Sequence, residues 1–154
     1  MKQQDRQLFV YVGGAVAVYV LIVNPILKKL GIRTSQAIQQ AQQGGINNPF
    51  NPLFWKGQGG ALLIKSAVVD QMTAKIYNAF TIFQDDFNAV FSVFKQLKTQ
   101  SQVSYLADRF QQKYNADLIT FLGNGGGVLP WDGLSDAQLS QIVSYVNGLP
   151  KYKA

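Results

Sequence analysis

TQSQVSYLADRFQQKY, residues 99–114, decides the fold. Val103, Leu106, Ala107, Phe110 and Tyr114 recur at three- and four-residue steps, which places them on one face of a helix. Thr99 followed by Gln102 has the form of a capping box, with Gln102 expected to reach back to the Thr99 amide. Working upstream, Asp85-Asp86 open an expected helix carrying Phe87, Val90, Phe91, Phe94 and Leu97. Before it, Ser66 is expected to cap a helix that buries Val69, Met72, Ile76 and Ala79. Downstream, Leu118, Phe121 and Leu122 predict a shorter helix ending at Gly123. Ser135-Asp136-Ala137-Gln138 is a second capping box, with Leu134 and Leu139 as its hydrophobic staple. Leu139, Ile142, Val143 and Val146 form that helix's stripe; Gly148 closes it and Pro150 prevents its restart. No run of alternating residues calls for a sheet. The expected fold is all-α, a compact bundle of about five short helices over residues 61–154.

Before the bundle, residues 31–60 read as a connector. Thr34 to Gln43 predicts a short polar helix with one large apolar residue, Ile38, ending at Gly44-Gly45; alone it would not hold. Gly44 to Gly60, GGINNPFNPLFWKGQGG, has two Asn-Pro steps and five glycines and reads as irregular chain. Phe50, Leu53, Phe54 and Trp55 are too apolar for a plain linker. They are expected to pin the stretch onto the domain, or to dock on a partner.

Residues 1–7 form a polar tail and residues 8–30 an expected transmembrane helix. Leu8 to Val23, LFVYVGGAVAVYVLIV, carries no charge, and Asn24-Pro25-Ile26-Leu27 extends the run to Lys28-Lys29. Sixteen helical residues span about 24 Å and twenty about 30 Å, the thickness of a hydrocarbon core. A cleaved signal would want small residues after the run, and a core helix would show a polar face; neither is present. The anchor residues are Leu8, Phe9, Val10, Tyr11, Val12, Val16, Val18, Tyr19, Val20, Leu21, Ile22, Val23, Ile26 and Leu27. Lys28, Lys29 and Arg33 are placed to meet lipid headgroups. Gly13 and Ala17 form a small-xxx-small pair of the kind that lets two spans approach. The slight excess of cations after the span favours the bulk of the chain on the cytoplasmic side.

Composition narrows the chemistry. The 154 residues include no Cys, no His and no Glu, and all eight acids are Asp. That removes Cys/His nucleophile systems, the usual zinc sites, disulfides and Glu-based acid–base schemes. Eighteen Gln and nine Asn supply much of the polar surface. Asp85-Asp86, Asp132 and Asp136 read as helix starts, where carboxylates meet free amides. Gly123 to Gly127 lacks the Gly-Lys-Ser/Thr of a phosphate loop and reads as a turn between helices. Lys56, Lys65, Lys75, Lys95, Lys98, Arg109 and Lys113 are dispersed, so nucleic acid is not an expected partner. No catalytic residue, cofactor or metal is expected.

Asp85 to Leu122, DDFNAVFSVFKQLKTQSQVSYLADRFQQKYNADLITFL, resembles a single annexin repeat. From Gln102, the spacing to Leu106, Phe110, Tyr114 and Asp117-Leu118 follows the annexin pattern without a gap; upstream it needs a two-residue insertion. The resemblance implies a helical fold for this stretch. It does not carry over calcium-dependent lipid binding, because the loop Phe80 to Gln84 has no glycine and the later acid position falls near Gly125. FNPLFWK, KTQSQVSYLADRFQQKY, LPWDGLSD and VNGLPKY together look like small proteins of bacteriophages of flavobacteria and their relatives. With the N-terminal span, this resembles the minor membrane proteins of icosahedral phages with an internal bilayer.

The resulting expectation is a non-enzymatic structural protein of the virion's internal membrane, residing in the host cytoplasmic membrane during assembly. Its partners would be the lipid bilayer and capsid proteins, other virion membrane proteins or further copies of itself. Phe50, Phe54, Trp55 and Trp131 are the candidate protein contacts. Two alternatives remain open: a bacterial envelope scaffold with the same anchor, and a cell-wall lytic protein acting as the particle enters its host. The second is disfavoured by the missing Glu and the structural look of every Asp.

Overall fold

A computed structural model describes residues 36–58, 62–81, 84–125 and 133–152. The anchor residues Leu8 to Leu27, the headgroup residues Lys28, Lys29 and Arg33, and the contact candidate Trp131 lie outside them. In chain order, the described elements are α1 (Gln36–Gln42), two 3-10 turns (Gly45–Asn47 and Phe54–Gly57) and α2 (Ser66–Asn78). A two-residue hairpin follows, β1 (Phe80–Thr81) with β2 (Gln84–Asp85), antiparallel with Phe80 opposite Asp85. Then come α3 (Phe87–Gln96), α4 (Gln100–Tyr114), α5 (Leu118–Asn124) and α6 (Asp136–Asn147). The architecture is all-α. Among the described residues, no helix is long and apolar enough to cross a membrane.

The helical stripes close on one another as their spacing requires. Val69 and Ile76 of α2, Val90 and Phe94 of α3, Leu106 and Phe110 of α4, and Ile142 and Val146 of α6 are all fully buried. Each such side chain contributes about 1.5–3 kcal/mol relative to exposure. Helix α4 is the centre, packing on α2, α5 and α6. Val93 and Ile119 are buried too, off the stripes legible in the sequence. The outer edges are aromatic: Tyr77 stacks on Tyr114 with centroids 4.2 Å apart, and Phe91 meets Tyr145 edge-on at 5.7 Å.

Helix α1 belongs to this core. Ala37, Ile38 and Ala41 are buried, and the helix packs on α5 and α6. A Cβ at Gly123 would collide with the Ile38 side chain, so the glycine inside α5 is what lets α1 seat. Helix α5 therefore runs through Gly123 and ends one residue later, with Gly125 in the left-handed conformation.

The caps hold with two corrections. Asp86, Asp117 and Ser135 accept from the amides of Ala89, Thr120 and Gln138, and the Ser135 capping box is complete. Ser66, expected as a cap, is instead the first residue of α2; Lys65 precedes it and offers no side-chain cap. At α4, Thr99 accepts from the Gln102 amide as expected, but the Gln102 side chain does not return to Thr99. Its Oε1 accepts from the Lys98 amide at 2.7 Å, and its Nε2 donates to the Leu62 carbonyl at 2.7 Å. Gln102 is 6% exposed, and this bridge joins two segments the capping box would have left apart.

Gly133 gives the packing its sharpest test. A Cβ there would meet the backbone of Gly123 and Asn124 at under 3.0 Å, where the Leu134 amide donates to the Leu122 carbonyl at 2.9 Å. Gly133→Ala is expected to destabilise the domain by about 1–3 kcal/mol through overpacking. Gly57→Ala, which meets nothing within 4 Å, serves as the control. Urea unfolding of both variants checks the difference.

Candidate functional site

Two Asn-Pro steps build the loop from which the candidate surface projects. Proline has no N–H, so the amide that follows each one needs a partner. Asn48 Oδ1 accepts from the Phe50 amide at 2.9 Å, and Asn51 Oδ1 accepts from the Leu53 amide at 2.8 Å. Asn51 Nδ2 also donates to the Gly45 carbonyl at 3.0 Å, closing the loop on itself. What the sequence presents as irregular chain is thus a pair of side-chain-held turns.

These turns aim four apolar side chains differently. Phe50 and Phe54 point inward, 2% and 1% exposed, with the Phe50 ring 6.2 Å from that of Phe94. As contact candidates they are therefore corrected: they are core residues, driven inside by their apolar area, and no partner reaches them. Leu53 is exposed and Trp55 half-buried at the surface.

Trp55 is latched to α4 by a polar stripe. Ser104 Oγ accepts from the Trp55 amide at 3.0 Å and donates to the Asn51 carbonyl. Trp55 Nε1 donates to Asp108 Oδ2 at 3.1 Å, while Gln112 Nε2 donates to Asp108 Oδ1 at 2.9 Å. The Trp55 ring meets Tyr105 edge-on at 5.1 Å, and Lys56 Nζ stands 5.5 Å from its centroid. Lys56 Nζ also lies 3.9 Å from Asp108 Oδ2. Ser104, Asp108 and Gln112 follow one another at four-residue steps, so they share one helix face. That spacing was the available signal, and it went unread because the apolar stripe beside it is stronger.

Arg109 corrects a second expectation. It is not one of a set of dispersed, solvated cations: it grips Asp70 of α2 with Nε to Oδ1 at 2.9 Å and Nη2 to Oδ2 at 2.8 Å. The Asp70 hydrogen bond holds the guanidinium above its ordinary pKa, so the clamp between α2 and α4 stays charged at any physiological pH.

Each polar group of the latch has a partner within the chain, which makes it a device for holding a tryptophan and a lysine in a fixed pose. Among the described residues, no three acidic side chains gather as a metal site. Ser104→Ala strands the Trp55 amide and the Asn51 carbonyl. It is expected to cost about 1–3 kcal/mol in urea unfolding and to speed hydrogen exchange of the Trp55 amide before global opening.

Compared with family models, curated proteins and solved structures, the chain gives no match.

Proposed function

We propose that the chain is a non-enzymatic anchoring protein, held in a bilayer by Leu8 to Leu27 and using its helical domain to hold other proteins of an internal-membrane virion. The uncharged run Leu8 to Val23 carries the proposal. It has the length of a hydrocarbon core crossing and no polar stripe with which to face water. The non-enzymatic part is supported by composition, since the chain lacks Cys, His and Glu. It is supported too by how the acids are employed: Asp86 and Asp117 cap helices, Asp70 clamps Arg109, and Asp108 holds Trp55. The virion part rests on the resemblance of the C-terminal motifs to small phage proteins.

A tether of this kind needs a domain that resists being pulled apart and a surface with fixed side chains. The α2–α4 clamp and the Trp55 latch supply both in a protein without disulfides. Trp55 is the contact residue this assigns to a protein partner.

In an alkaline carbonate wash, the full chain is expected to remain with the membrane pellet. A variant carrying Val16→Lys and Val20→Lys is expected in the supernatant, because each charge at the centre of a span costs about 2.5–3.5 kcal/mol. Release of the unaltered chain by the wash would overturn the anchor. Absence of the protein from purified particles, or its retention after detergent strips the lipid, would overturn the virion assignment.

A further inference from the structure

The charge of this protein is divided at one residue. Residues 6–69 contain six Lys/Arg and no acid, whereas residues 70–154 contain seven Lys/Arg against seven Asp. Lys2 and Asp5 cancel, so the whole formal charge of +6 sits before Asp70.

Exposed apolar side chains follow the same division. Six large ones are exposed among the described residues, and four of them precede Asp70: Ile46, Leu53, Leu63 and Val68. Leu63 is the extreme case, 67% exposed with φ at 51°. A leucine in the left-handed region is disfavoured by its Cβ, and here it gains no burial in return.

The segments bearing these residues are pinned close together. Asn51 and Trp55 are bound to Ser104, and Leu62 is bound to Gln102, two residues earlier on α4. Asn51 in turn holds Gly45, next to Ile46. Lys56 and Lys65 lie on the same two segments, both exposed. Greasy side chains with lysines and no acid are the composition of an interfacial membrane contact.

We propose that this acid-free face, Ile46, Leu53 and Leu63 with Lys56 and Lys65, docks on anionic lipid headgroups. The apolar side chains enter the boundary with the acyl chains and the two lysines meet phosphates. The inference rests on the anchoring role of Leu8 to Leu27 for one thing, nearness to a bilayer. Ile46 follows Leu27 by nineteen residues, so the linkage gives a high effective concentration and weak docking suffices. Lipid is favoured over a protein occupant because the attraction requires one sign of charge spread over two segments, with no counter-charge of its own.

The chain has no Cys, so Leu53→Cys, Leu63→Cys and, as a control on exposed α6 surface, Gln141→Cys each accept one environment-sensitive fluorophore. The full chain is reconstituted in phosphatidylcholine vesicles with and without phosphatidylglycerol. Emission at 53 and 63 is expected to shift to the blue and rise severalfold when phosphatidylglycerol is present, while position 141 stays unchanged. Lys56→Gln and Lys65→Gln are each expected to lower the docked-to-undocked ratio about fivefold, and added salt to reverse docking. Water-like emission at 53 and 63 in the anionic vesicles overturns the proposal. A blue shift that follows the number of chains per vesicle rather than the lipid charge also overturns it, assigning the face to a second copy. Carbonate extraction of the same vesicles judges the anchor separately. A chain that resists extraction with a water-exposed label loses the docking face and keeps the anchor. A chain that washes out after showing the lipid-dependent shift loses the anchor and keeps the face, and one that washes out without the shift loses both.

Discussion

Helix α4 begins inside the protein, and the rest of the domain is arranged around that constraint. Thr99 and Ser101 are 4% and 2% exposed, so the free amides of the first turn have no water to bond. Left unmet, each would cost about 1–3 kcal/mol. Thr99 takes one with its own hydroxyl. The Gln100 and Ser101 amides are taken by the carbonyls of Pro150 and Lys151 at 2.8 and 3.0 Å, and Ser101 Oγ adds a third bond to Lys151. The helix start thereby fastens the segment after α6, which could otherwise fray. Gln102 completes the junction by bridging Lys98 and Leu62. One buried helix terminus thus draws three distant parts of the chain together.

Further along the same helix, the polar stripe of Ser104, Asp108 and Gln112 fixes the Asn-Pro loop, and Arg109 fixes α2. The interactions are of different kinds but share a logic. Apolar burial supplies most of the stability without specifying much, and short charge-assisted bonds at the rim set which segments lie side by side. For a tether, rigidity at that rim matters more than a cavity. In the proposed role the tryptophan and the acid-free face point outward from the same helix, so their positions vary together.

How much of this was legible in the sequence differs by element. The stripes of α2, α4 and α6 were readable because four or more apolar residues at helical spacing outweigh local propensity. The Ser135 box was complete in the sequence since both partners lie within one turn. The burial of α1 was not readable: its seat depends on Gly123, some eighty residues later, where a missing side chain makes the room. Phe50 and Phe54 could not be told apart from Leu53 and Trp55 by composition. Their different fates are set by the two Asx turns, which rotate successive side chains inward and outward. The partners of Trp55 were hidden for a related reason, since a polar stripe on an amphipathic helix is ordinarily its solvent face.

The sequence alone determined the secondary structure class, the helix faces, most caps and the separation of an apolar opening run from a mixed domain. All of these are local properties, governed by periodicity and by bonds spanning a few residues. Tertiary structure decided the direction in which Gln102 spends its side chain, the pairing of Arg109 with Asp70, and the enclosure of residues 36–58 in the core. Those outcomes depend on desolvation. A polar group chooses its partner once water is gone, and which groups lose their water is known only when distant segments have met.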